Sequence, residues 1–147
     1  MKSKTILLIE DNPSDIDLTK RALEKGRIAN ALMVVSDGQE ALDYLFGTGE
    51  YAGRDSSDFP ALTLLDLKMP KVSGLDVLRR IRSDSRTRRM PVVILTSSRE
   101  EQDIAAGYDL GVNSYILKPI DFEHFVQSVA QLGLYWLVLN QEPPRFK

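Results

Sequence analysis

Four apolar runs of this sequence end on groups that can hold a metal ion or a phosphoryl group. Ile6-Leu7-Leu8-Ile9 runs into Glu10-Asp11, Ala61-Leu62-Thr63-Leu64-Leu65 into Asp66, Val92-Val93-Ile94-Leu95 into Thr96, and Tyr115-Ile116-Leu117 into Lys118-Pro119. Three carboxylates, one hydroxyl and one ammonium suit a hard divalent cation and the oxygens of a phosphate. A carboxylate can also attack phosphorus and form an aspartyl phosphate. That chemistry requires the five groups to meet in one cleft.

The elements that carry them predict such a meeting. Short apolar runs alternating with helical patterns mean parallel strands buried on both faces. Strands are predicted at 5–9, 31–35, 61–65, 91–95 and 112–117. Asp11-Asn12-Pro13-Ser14 reads as a helix start, and Ile16, Leu18, Ala22 and Leu23 give the stripe of the first helix, which runs out at Gly26. Ala41, Leu42, Leu45 and Phe46 mark the second helix, and Leu75, Leu78 and Ile81 the third. A fourth passes through Ile104-Ala105-Ala106, and the last runs from near Asp121 to about Leu139. The stretch 47–60 reads as a long, flexible, polar loop. Five strands and five helices in alternation predict a doubly wound α/β sandwich, for which right-handed crossovers leave few topologies. The flavodoxin-like strand order 2-1-3-4-5 puts Glu10, Asp11 and Asp66 together at the switch point, with Thr96 and Lys118 beside them.

At 147 residues and 43% hydrophobic, the chain fits one folded domain. The expected division is a single domain over 1–139 with an extended last helix, then a tail at 140–147. A net charge of −2 gives no basic field for nucleic acid, and the absence of cysteine excludes disulfides and thiolate metal sites. No signal peptide and no run of about 18 apolar residues is visible, so no membrane association and a cytoplasmic location are expected.

Ile9-Glu10-Asp11-Asn12, Leu65-Asp66-Leu67-Lys68-Met69-Pro70, Gly74, Leu95-Thr96-Ser97 and Tyr115-Ile116-Leu117-Lys118-Pro119 together resemble the receiver domain of two-component response regulators. The likeness covers roughly residues 4 to 132. It implies that Asp66 is the phosphoacceptor, and that Glu10, Asp11, Asp66 and the backbone carbonyl of Lys68 bind Mg²⁺. It further implies that Thr96 meets the phosphoryl group, Lys118 pairs with it, Tyr115 is an aromatic switch, and Lys118-Pro119 is a cis bond. Glu10 stands where many members carry aspartate, and still offers hard oxygens. The implied function is that of a single-domain response regulator, phosphorylated by a sensor histidine kinase and switching protein contacts. Its only catalysis would be Mg²⁺-dependent self-phosphorylation and self-dephosphorylation. Lys68 and Ser98 would border the path of attacking water and tune the lifetime of the phosphorylated state.

Two rival readings are weaker. Phosphohydrolases with an aspartate nucleophile place a second aspartate two residues later, where this chain has Lys68. An interaction module that is never phosphorylated would have no need of all the matched positions. His124, the single histidine, reads as solvated, and Arg79, Arg80, Arg82, Arg86, Arg88 and Arg89 as a solvated helix face and turn. The last helix is apolar on nearly every side through Leu132, Leu134, Tyr135, Trp136, Leu137, Val138 and Leu139, so it needs cover. Tyr135, Trp136 and Leu139 are the candidates for a homodimer interface. This segment and the 47–60 insertion resemble the stand-alone regulators paired with bacterial phytochrome kinases.

Overall fold

The computed structural model describes residues 5–28, 30–55, 59–118, 121–139, 141 and 143. Strands β1 (Ile6–Ile9), β2 (Leu32–Val35), β3 (Leu62–Leu65), β4 (Val92–Thr96) and β5 (Ser114–Leu117) form one sheet in the order β2-β1-β3-β4-β5. Every pairing is parallel, with Ile9 level with Val35 and Leu65, Leu65 with Ile94, and Thr96 with Leu117. Helices α1 (Pro13–Lys25), α2 (Gly38–Phe46), α3 (Gly74–Ser83) and α4 (Glu101–Asp109) make the four crossovers, and α5 (Phe122–Gly133) follows β5.

Side chains alternate across the strands, so each run feeds two cores. Leu7, Ile9, Leu65 and Ile94 pack with Leu45 of α2 and Val77, Leu78 and Ile81 of α3. Ile6, Leu8, Leu64, Val93 and Leu95 pack on the opposite face with Ala22 and Leu23 of α1 and Phe125 and Val129 of α5. Thr63 breaks the pattern: it is fully buried in β3 and its hydroxyl has no hydrogen-bond partner among the described residues. A buried hydroxyl without a partner costs about 1–3 kcal/mol, whereas an apolar group of similar shape does not. Thr63→Val is therefore expected to stabilise the fold by about 1 kcal/mol, read as a higher midpoint in urea denaturation. A lower midpoint would contradict it.

The helix start read at Asp11-Asn12-Pro13-Ser14 is present: Asn12 caps α1, its side chain accepting from the backbone N–H groups of Ser14 and Asp15. Two parts of the chain differ from the sequence expectation. The 47–60 stretch is no plain loop: it contains a 3₁₀ turn at Gly49–Tyr51 and is tied to α2. The Tyr51 hydroxyl donates to Glu40 at 2.8 Å, and Arg54 donates to the Tyr44 carbonyl while lying 4.0 Å over the Tyr44 ring. The last helix also changes character, from α-helix to a π-helix over Leu134–Leu139. At Gly133 a Cβ would lie 2.2 Å from Ile28 Cδ1, so α5 approaches the segment after α1 closely and a larger residue would have to displace the Ile28 side chain. Leu137 is buried beyond it and Trp136 partly so, while Tyr135 is half exposed. The Leu139 side chain lies outside the described residues.

Candidate functional site

The parallel sheet brings the predicted groups to one edge. Glu10 follows β1, Asp66 follows β3, Thr96 ends β4 and Lys118 follows β5. The Glu10 N–H donates to Val35 and the Asp66 N–H to Ile9, so the ladder reaches the residues that carry the chemistry. Gly74 at the start of α3 is needed here, since a Cβ would fall 2.3 Å from the Asp66 carbonyl oxygen. Its N–H donates to the Leu67 carbonyl at 2.9 Å and ties α3 to the end of β3.

Glu10, Asp11 and Asp66 each offer a carboxylate oxygen, and these oxygens lie within 4.8 Å of one another. Asp11 is exposed, Asp66 is buried, and Glu10 is only 2% exposed. This graded set of hard oxygens, open on the Asp11 side, fits a divalent cation. Lys118 neutralises part of the charge. Its ammonium lies 2.7 Å from Glu10 Oε1, 2.8 Å from Asp15 Oδ2 and 3.8 Å from Asp66 Oδ2. The second Glu10 oxygen accepts from the Asn12 N–H at 3.3 Å.

Burial drives the Glu10 carboxyl up from its ordinary range to about 7; Lys118 opposes the rise and Asp66 adds to it. An ammonium at 2.7 Å would by itself favour the carboxylate, so desolvation dominates here. Burial works against the charge of Lys118, but its bonds to Asp15 and Glu10 outweigh that and its pKa rises. Four carboxylates facing one ammonium leave the cleft short of positive charge, which a cation would supply.

Thr96 is fully buried, and its hydroxyl oxygen accepts weakly from the Ser98 N–H at 3.4 Å. The Tyr115 hydroxyl donates to the Ser98 carbonyl at 2.9 Å. Ser98 itself is buried, and its hydroxyl donates to Asp103 at 2.5 Å in the first turn of α4. That bond turns the Ser98 side chain toward α4, unlike the expected place beside the water path. Lys68 is exposed and reaches Glu100 at 3.9 Å across the loops after β3 and β4. Pro119 lies outside the described residues, and with it the expected cis bond.

Asp15 was missed by the sequence reading, where an acid in the first turn of a helix passes as a response to the helix dipole. No spacing marks it, because Asp11 lies before the Asn12 cap and outside the helical period. Arg82 was misread as solvated. Its guanidinium instead donates to the carbonyls of Leu110, Arg88, Met90 and Gly111. His124 is exposed beside Asp121, as expected of a solvated residue.

The family model for the response regulator receiver domain matches residues 6–130. The response regulator Rcp1 of Synechocystis is 37% identical over 134 residues, covering 91% of this chain and 89% of that protein. Probable methanogenesis regulatory protein FilR2 of Methanothrix harundinacea is 41% identical over 138 residues, covering 94% of this chain and 86% of its own length. The crystal structure of the phosphorylated cyanobacterial phytochrome response regulator RcpA aligns with a TM-score of 0.86 at 40% identity, over 97% of this chain and 100% of that one. The Mn²⁺-bound form of Rcp1 aligns with a TM-score of 0.85 at 35% identity, over 96% and 99%. No helix among the described residues is long and apolar enough to cross a membrane. With its fold, its acidic cleft and these relatives in agreement, the chain belongs to the response regulator receiver domain family.

Proposed function

We propose that this chain is a single-domain response regulator in which Asp66 accepts a phosphoryl group from the phosphohistidine of a sensor kinase. The observation that carries the reading is the placement of Asp66 between two further carboxylates and the Lys118 ammonium, at the carboxyl edge of a parallel sheet. The likeness to RcpA and Rcp1 favours a kinase of the bacterial phytochrome type and a cytoplasmic location. The receiver unit would span 1–139 with 140–147 as a tail, with no nucleic-acid or membrane partner.

In the transfer, an Asp66 oxygen attacks phosphorus as the P–N bond of the donor breaks, and the released imidazole recovers its proton from solvent. Glu10, Asp11, Asp66 and the Lys68 backbone carbonyl would hold Mg²⁺. The ion supplies charge neutralisation for the acids and for the phosphoryl oxygens. Lys118 meets one equatorial oxygen and Thr96 donates its hydroxyl to another. Among the described residues the Thr96 hydroxyl has a single weak contact, at 3.4 Å, to give up. Its movement alters the room available to Tyr115, whose ring lies 3.6 Å from the position a Gly107 Cβ would take on α4. Tyr115 thereby links the site to the face made by α4, β5 and α5. Self-phosphorylation from a small donor and slow self-dephosphorylation follow from the same groups.

Acetyl phosphate with Mg²⁺ is expected to label the wild-type protein on Asp66, and chelation by EDTA to prevent it, as read by intact-mass and peptide mass spectrometry. A wild type that takes no label from any donor removes the proposal. Lys68, in place of the second aspartate of hydrolases, favours a switch over an enzyme turning over exogenous esters.

Output through a homodimer is part of the same reading, with Tyr135, Trp136 and Leu139 as the interface candidates. Tyr135 is half exposed and stands edge-on to Trp136, 4.9 Å between ring centroids. Sedimentation is expected to show a dimer that Tyr135→Ser weakens about tenfold or more. A wild type monomeric at high concentration, with and without label, would contradict it.

A further inference from the structure

The Lys118 ammonium carries three N–H donors. Glu10 takes one at 2.7 Å and Asp15, from the first turn of α1, another at 2.8 Å. Asp66 stands at 3.8 Å, within reach of attraction but beyond hydrogen-bond distance. A gap of that size is too wide for a direct bond to the Asp66 carboxylate. A phosphoryl oxygen projecting from that carboxylate would close it.

We propose that Asp15 is a positioning residue for Lys118: it holds the ammonium on the α1 side, apart from Asp66, with its third N–H ready for a phosphoryl oxygen. This rests on the reading that Asp66 is phosphorylated. Asp15 suits the task for three reasons. Its backbone N–H is fixed by the Asn12 cap at 3.2 Å, and its carbonyl accepts from the Thr19 hydroxyl at 2.8 Å, so its place on α1 is set. Its carboxylate lies at a helix N-terminus, where negative charge is favoured. Its side chain is 32% exposed against 2% for Glu10, so it gives up less hydration in holding the ammonium. Without Asp15 the ammonium keeps Glu10 but loses the pull toward α1. The nearest remaining carboxylate is Asp66, and Lys118 then closes on it. A directly paired Asp66 is a weaker nucleophile, and its ammonium must be displaced before a phosphoryl group can sit between them.

The test is a double-mutant cycle on binding of beryllofluoride, a phosphoryl mimic, by the full chain in excess Mg²⁺, followed by calorimetry. Asp15→Asn is expected to weaken binding about tenfold in the wild-type background and to have no effect in Lys118→Gln, because Asp15 acts through Lys118. Asp15→Glu is expected to recover part of the loss. Asp17→Asn removes the same charge from an exposed position of α1, where Asp17 pairs with Arg21, and should change nothing. In the metal-free protein, the side-chain NMR signal of Lys118 is expected to shift in Asp15→Asn and stay in place in Asp17→Asn. Thermal melts verify that each variant is folded. Equal loss in both backgrounds, no loss in the wild-type background, or an unmoved Lys118 signal overturns the role of Asp15 alone. A wild type that binds no beryllofluoride and takes no label overturns the phosphoacceptor reading as well.

Discussion

Asp66→Asn is expected to reduce acetyl phosphate labelling to background and, at the same time, to make the protein more stable. The first effect follows from chemistry: an amide oxygen is a poor nucleophile toward phosphorus, and Glu10, which shares the acidic cluster, is only 2% exposed and bonded directly to Lys118 at 2.7 Å. The second follows from electrostatics. Asp66 repels Glu10, and Glu10 is already desolvated, with its carboxyl driven up to about 7 from its ordinary 4.5. A carboxyl whose folded pKa is raised binds more protons folded than unfolded between those two values. Stability therefore falls as pH rises through that window, and the full cost is present above it. Removing the Asp66 charge relieves part of the cost. A gain of about 1 kcal/mol is expected at pH 8, shrinking toward pH 5 as Glu10 takes up its proton. Urea denaturation of metal-free wild type and variant at the two pH values measures it. A variant that labels like wild type sinks the acceptor assignment. A gain that is larger at pH 5 than at pH 8 sinks the account of Glu10.

Arg82→Ala is expected to be the most destabilising single change outside the apolar cores, by about 3 kcal/mol. The guanidinium leaves the end of α3 and donates to Leu110 at 2.7 Å, Met90 at 2.7 Å, Gly111 at 2.9 Å and Arg88 at 3.0 Å. Leu110 and Gly111 follow α4, where the last carbonyls of a helix have no partner within it. Arg88 and Met90 lead into β4. One side chain thus joins three segments by bonds in which the donor is charged, each worth more than a neutral one. Burial lowers the pKa of Arg82, but an arginine keeps its charge even so. Arg82→Lys should recover less than half of the loss, because an ammonium lacks the planar fork that spans four acceptors. Water can reach some of the freed carbonyls, which keeps the estimate well below the sum of four bonds. The change lies at the entry to β4, the end of that strand away from Thr96, so labelling of the folded variant at low temperature should persist. A loss under 1 kcal/mol in urea denaturation would show that these carbonyls do as well with water.

The sequence by itself determined the sheet and the makeup of its active edge. Both depend on local pattern: apolar runs too short for helices, helical stripes between them, and polar groups at the strand ends. Parallel strands must end on a common edge, so Glu10, Asp11, Asp66, Thr96 and Lys118 could be grouped before any coordinate. What only the tertiary structure decided depends on contacts between residues distant in sequence. Lys118 meets Asp15 from 103 positions away, and Arg82 meets Leu110 from 28. Neither partner leaves a periodic trace, and a backbone carbonyl leaves no trace in residue type at all. The 47–60 segment was read as loose because the ring and guanidinium contacts that clasp it to α2 have no sequence period. The Ser98 hydroxyl could have faced water or α4, and a single bond to Asp103 turned it to α4. Period and composition name the groups at the edge, whereas packing decides which of them hold one another.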